Sequence, residues 1–213
     1  MKQLIKTLAA LALITAAGLA TAITPEERDL QVSADRDHLS SLNKLLQRGV
    51  DPNVPDKDGN GALMIALRSE SFQAAERLIA HAATDVNRAN AANETPLMMA
   101  ALRGRLDLVK KLVERGAKIN RESWTPLHYA CSGPDNGVAA WLLEQGAQID
   151  ARAPNGSTPL MMAVRYAPIA TAELLLSKGA NVRLSHENGN TAADFATGAG
   201  REALAAKVLA AAR

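Results

Sequence analysis

The sequence holds one cysteine, Cys131, and six aromatic residues in 213. A single thiol excludes an intramolecular disulfide, so packing must stabilise the fold, and so few aromatics argue against a sheet built on Tyr, Phe and Trp. Charge of one sign is also lacking. The formal excess of +2 comes from Lys2 and Lys6, and beyond residue 22 basic and acidic side chains balance. Such a chain carries no global electrostatic footprint for nucleic acid or for an anionic membrane surface. Missing as well are a G-x-S-x-G elbow, a phosphate-binding glycine loop, a zinc-type ligand spacing and a distinct carboxylate pair. No cofactor, metal or catalytic site is expected. What the sequence does have is 47% apolar and 22% charged residues, the balance of a folded protein rather than a disordered or fibrous one.

Residues 1–22 read as an address. Met1 to Lys6 is basic, Thr7 to Leu19 is a run of small and apolar residues, and Ala20-Thr21-Ala22 gives small side chains at a cleavage spacing. The run is short and rich in Ala and Gly, so a removable secretory leader is expected rather than a membrane anchor. No cysteine follows it for lipid attachment. The expected destination is the periplasm, with residues 23–213 as the mature chain.

That chain repeats itself. Thr95-Pro96-Leu97-Met98-Met99-Ala100, Thr125-Pro126-Leu127-His128-Tyr129-Ala130 and Thr158-Pro159-Leu160-Met161-Met162-Ala163 begin 30 and 33 residues apart. Weaker copies start at Gly61, 34 residues upstream of Thr95, and at Thr191, 33 downstream of Thr158. Each Thr is placed to cap a helix and each Pro fits a first helical turn. A second helix follows, with apolar residues at helical spacing such as Leu106, Val109, Leu112 and Val113, and Gly49, Gly116, Gly146 and Gly179 stand as its stops. Turn residues such as Asp58-Gly59-Asn60 and Pro154-Asn155-Gly156 then give a projecting hairpin. Thr24-Pro25-Glu26-Glu27 is a capping box opening a more polar first repeat, and Leu204 to Ala210 closes the last.

This grammar resembles the ankyrin-repeat family, with its T-P-L-H-x-A signature and period of about 33 residues. The resemblance implies an all-α solenoid of helix-turn-helix units with β-hairpin fingers. About six repeats are expected, at 24–55, 56–89, 90–120, 121–152, 153–185 and 186–213. Three departures stand out. Three residues are missing between Thr95 and Thr125, so Arg121-Glu122-Ser123-Trp124 should make a stunted finger. One residue is added near Ala82-Ala83-Thr84, where the glycine stop is absent. Met64, Met98 and Met161 replace the signature histidine, which predicts a looser network around the second repeat.

The resemblance also implies a binding surface: the fingers and first helices should line a concave groove that holds another protein, the chain itself being a monomer. Carried onto this sequence, the finger positions are Lys57, Asp58, Asn60, Ala91, Ala92, Glu94, Arg121, Glu122, Trp124, Asn155, Ser157, Glu187 and Asn190. The helix positions are Arg68, Ser69, Leu102, Arg103, Ser132, Arg165 and Tyr166. Arg68, Arg103 and Arg165 form a row suited to carboxylates, which points to a partner with an acidic surface, and Trp124 and Tyr166 are the aromatic anchors. The partner is expected to be either a resident envelope protein or a delivered toxin that the chain blocks as an immunity protein. Phe72, Tyr129 and Phe195 are expected in the core, and Trp141 in the space left by Ala139 and Ala140. His128 and Cys131 share a helix face, but the repeat puts both in structural positions.

Overall fold

The computed structural model describes residues 23–212. The expected leader at 1–22 lies outside them. Twelve helices follow one another: α1 Pro25–Asp35, α2 Leu39–Gln47, α3 Ala62–Arg68, α4 Phe72–Ala80, α5 Pro96–Leu102, α6 Leu106–Glu114, α7 Pro126–Ala130, α8 Gly137–Glu144, α9 Pro159–Tyr166, α10 Ile169–Ser177, α11 Ala192–Gly198 and α12 Glu202–Ala210. Odd-numbered helices stack in one row, α1 against α3 through to α9 against α11, and each packs on the even-numbered helix that follows it. The core lies between the rows as one cluster running from Leu30 to Val208. This is the expected solenoid. Among the described residues the fingers form no named strand, only an isolated antiparallel bridge between Ser185 and Thr191, so they are tight turns rather than hairpins of paired strands.

The local sequence explains each helix. Thr24, Thr95, Thr125, Thr158 and Thr191 are the N-caps of α1, α5, α7, α9 and α11, while Gly61 at the start of α3 supplies no side-chain cap. Gly49, Gly116, Gly146 and Gly179 follow even-numbered helices with φ of 82°, 86°, 84° and 83°. In that conformation their N–H groups reach back to the last turn of the helix, as Gly116 does to Val113 O at 2.9 Å.

Two devices tie neighbouring repeats together. Asn53, Asn87 and Asn120 each use one amide twice: the amide N–H donates to Ala83 O, Gly116 O or Gly146 O, and the oxygen accepts from the N–H of Asp85, Lys118 or Gln148. Arg115 does the corresponding work where the glycine stop is missing. Its guanidinium donates to Ile79 O, to His81 O at 3.2 Å and to Thr84 O at 3.4 Å, taking up carbonyls left open after α4. The same loop buries His81 Nδ1 and Thr84 Oγ1 without a protein partner. The second repeat is therefore held by its neighbour's arginine at a place where its own sequence supplies no stop.

The methionine and histidine copies make different contacts at the signature position. Met98 Sδ accepts from Thr95 N–H at 3.4 Å. His128 instead accepts from Thr125 N–H through Nδ1 at 3.2 Å, so Nδ1 carries no proton and Nε2–H donates to Ser157 O of the next repeat at 3.1 Å. Cys131 is fully buried in the core, and its thiol pKa is pushed up by burial.

Candidate protein-interaction groove

In solenoids of this kind the fingers and the odd-row helices form the concave side. Four fingers are complete: Asp56–Asn60, Asn90–Glu94, Ala153–Ser157 and His186–Asn190. Each is closed by a bond from the N–H of its first residue to the carbonyl of its fifth, at 2.9, 2.9, 2.9 and 2.8 Å. Between the second and third stands the stub Arg121–Ser123, with Ser123 at φ 78°.

The groove face is not uniform. Towards the N-terminal end two of its arginines are neutralised within the protein. Arg68 pairs with Glu94 at 3.2 Å, and Arg103 pairs with Glu70 at 2.8 Å and donates to Arg68 O at 2.8 Å. Glu94 also accepts from Asn90 at 2.9 Å and from the Tyr129 hydroxyl at 3.0 Å, which makes it a hub of the surface. The row of three arginines is thus divided: two are committed to neighbouring carboxylates. Arg165 is exposed, makes no ion pair with a described residue, and lies over the rings of Tyr166 at 5.2 Å and Phe195 at 5.7 Å. Tyr166 is 53% exposed.

Between α5, α7 and α9 the surface opens into a notch of about 200 Å³ lined by Leu102, Trp124, His128, Tyr129, Ser132 and Met162. Trp124 forms one wall, its ring edge-to-face with His128 at 5.2 Å. Met162 lies one turn before Arg165 and Tyr166 on α9, so these three share a helix face. The floor is dry chemistry. Burial lowers the His128 pKa to about 4, so the imidazole is neutral and held by both nitrogens, and the Tyr129 hydroxyl is pushed well above its ordinary value by burial and by Glu94. Neither is poised to exchange protons near neutrality.

Other expected surface residues divide in the same way. Lys57 and Asp58 are exposed at the first fingertip. Asn60 and Ser157 are buried, contrary to the expected exposure: Asn60 bonds to Asp56 and Asn90, and Ser157 supplies the carbonyl for His128. Arg121 is held across the stub, donating to Asn93 O at 2.9 Å and Asn93 Oδ1 at 2.6 Å. Tyr129 packs partly buried against the core, as expected of it, and also walls the notch. Phe72 packs partly buried beneath the Arg105 guanidinium at 3.9 Å, and Phe195 and Trp141 pack against the core. Met162 was not singled out by sequence. A signal existed: Tyr129 and Met162 share the variable place in T-P-L-H-x-A, the one letter of the motif that neither caps the helix nor fills its core.

A family model described as ankyrin repeats (3 copies) matches residues 30–123, 84–153 and 127–212. Ankyrin repeat and SAM domain-containing protein 6 of Rattus norvegicus is 32% identical over 138 residues, 62% of this chain and 16% of that protein. Neurogenic locus notch homolog protein 1 of Homo sapiens is 33% identical over 164 residues, 69% of this chain and 6% of that protein. The chain thus spans a small part of the length of these relatives. Among solved structures, the complex of a predatory endopeptidase from Bdellovibrio bacteriovorus with its immunity protein contains a chain of like fold. The TM-score is 0.71 at 24% identity, covering 84% of this chain and 97% of that one. With the caps, glycine stops and finger turns already described, these matches place the chain in the ankyrin-repeat family.

Proposed function

We propose that the chain is exported to the periplasm and there binds a partner protein through the concave side of repeats 3 to 6. One observation carries this reading. In a chain with six aromatic residues, Trp124 and Tyr129 wall one groove notch, and Tyr166 stands exposed one turn beyond it beside an arginine that no described carboxylate neutralises. Buried or half-buried aromatics with a neighbouring Arg are the residues that dominate binding energy in protein interfaces. The partner is a protein that seats an apolar side chain in the notch and brings a carboxylate to Arg165.

An immunity role, in which the groove covers a delivered enzyme, is the second reading. Its support is the likeness in fold and length to a chain from the endopeptidase–immunity protein complex. The two readings differ in where the partner comes from.

The test is retention from envelope extract on immobilised residues 23–213, beside Trp124→Ala with Arg165→Glu. Arg103 is a poor choice for such a variant, because it also holds Arg68 O. A resident partner is retained by the unmutated chain and weakened at least about tenfold by the pair of changes, as loss of hot-spot side chains gives. Equal retention by both would remove the notch from the proposal. A protein recovered only after exposure to a competing strain would favour the immunity reading.

A further inference from the structure

Successive fingers are joined by a main-chain bond where both are complete. Ala91 N–H donates to Asp58 O at 3.0 Å, and Glu187 N–H to Asn155 O at 3.0 Å. The donor is the second residue of one finger and the acceptor the third residue of the finger before it. The stub breaks this row, and three features of the flanking fingers fit the break. In the third finger the donor place is Pro154, which has no N–H to leave unpaired. In the second finger the acceptor place is Ala92, exposed, whose carbonyl receives no donor among the described residues. The third feature concerns side-chain room. A Cβ on Gly59 would meet Ala91 N of the next finger at 2.7 Å, and one on Gly156 would meet Glu187 N at 3.2 Å. The second finger has Asn93 in that place, at φ 61°, where no next finger obstructs it.

The break leaves a cleft on each side of the stub. One, about 590 Å³, is lined by residues including Asn93, Lys118, Arg121 and Glu122; the other, about 380 Å³, by Arg121, Glu122, Gln148 and Arg152 among others. Lys118, Arg121 and Arg152 form no ion pair with a described carboxylate, their only such neighbour on the lining being the single acid Glu122. Arg121 and Arg152 donate instead to neutral oxygens, of Asn93 and Ser185. The clefts are cationic, and the open carbonyl of Ala92 belongs to the residue next to Asn93, which lines the larger cleft.

We propose that this break in the finger row is the seat of an acid-bearing turn of the partner protein, which takes the place of the missing finger. A main-chain N–H of that turn donates to Ala92 O, and its carboxylates lie between Lys118, Arg121 and Arg152. The proposal rests on the groove reading above and adds to it a second, polar point of contact.

The probe is a library of disulfide-closed loop peptides displayed on phage and selected on residues 23–213. The main variant lengthens the stub by inserting Asp-Gly-Asn after Glu122, with Asn93→Gly and Pro154→Ala, so that the row is complete. A second variant, Lys118→Glu with Arg152→Glu, changes only exposed side chains, and circular dichroism verifies that both variants keep their helices. The expected result is loops rich in Asp or Glu around a Gly or Asn turn, weakened at least tenfold by either variant. Recovered loops without acids, loops that bind both variants unchanged, or no loops above background would overturn the proposal. Loops that survive both variants but are lost on Trp124→Ala with Arg165→Glu would leave the groove reading standing and remove this one. Loops lost in none of the variants would remove both.

Discussion

Replacing His128 with Met would give the fourth repeat the residue that the third and fifth already carry at that place. Its consequence follows from the titration of the imidazole. An unfolded chain takes up this proton near pH 6.5, whereas burial holds the folded group to about 4. The unfolded state binds more protons between those values, so stability is full above about pH 6.5 and falls as pH drops towards 4, by up to about 3 kcal/mol. Asp107, held low by Arg105, and Asp194, held low by Thr191, lose their contributions only below the ordinary carboxylate range and do not act in this window. Urea unfolding at pH 7 and pH 4.5 is the check: the unmutated chain should lose stability between them, and His128→Met should flatten that loss while costing about 1 kcal/mol at pH 7 for the bond to Ser157 O. An unchanged slope in the variant would place the pH dependence elsewhere.

The helices were legible because their signals are local. A Thr-Pro start and a glycine stop act within one turn, and spacing alone announced the stub, since a residue count needs no knowledge of contacts. What could not be read is carried between repeats. Arg115 reaches Ile79 O across 36 positions, and Arg68 and Arg103 meet their carboxylates across 26 and 33, so neither the replacement for the missing stop nor the neutralised arginines showed in any short window. The burial of Asn60 is hidden from the sequence for a related reason: its side chain meets the neighbouring finger through Asn90. The arginine stop can be tested at this scale. Arg115→Ala should cost about 1 to 3 kcal/mol by leaving carbonyls after α4 unpaired, and should speed hydrogen exchange at the end of α4. Arg48→Ala removes an exposed ion pair with Glu26 and should cost well under about 1 kcal/mol. Equal costs would show that the carbonyls after α4 are served as well by water.

Over the whole molecule the odd-row face divides into two halves of different chemistry. The first half commits Arg68 and Arg103 to its own carboxylates; the second presents an apolar notch, an exposed tyrosine, an arginine without a described carboxylate, and a finger row with one place open. Among the described residues the aromatics of the even-row helices, Phe72 and Trp141, pack against the core, and the charges of these helices include the exposed pairs Lys111 with Glu76 and Lys207 with Glu173. A partner should therefore cover one side of the solenoid and one part of that side. Amide hydrogen exchange on residues 23–213, with and without the captured partner, measures this directly. Slower exchange at 121–132 and 162–166, with α6 and α8 unchanged, is the result expected of a partner seated in the groove. Slowing confined to the even-numbered helices, with 121–132 and 162–166 unaffected, would contradict it.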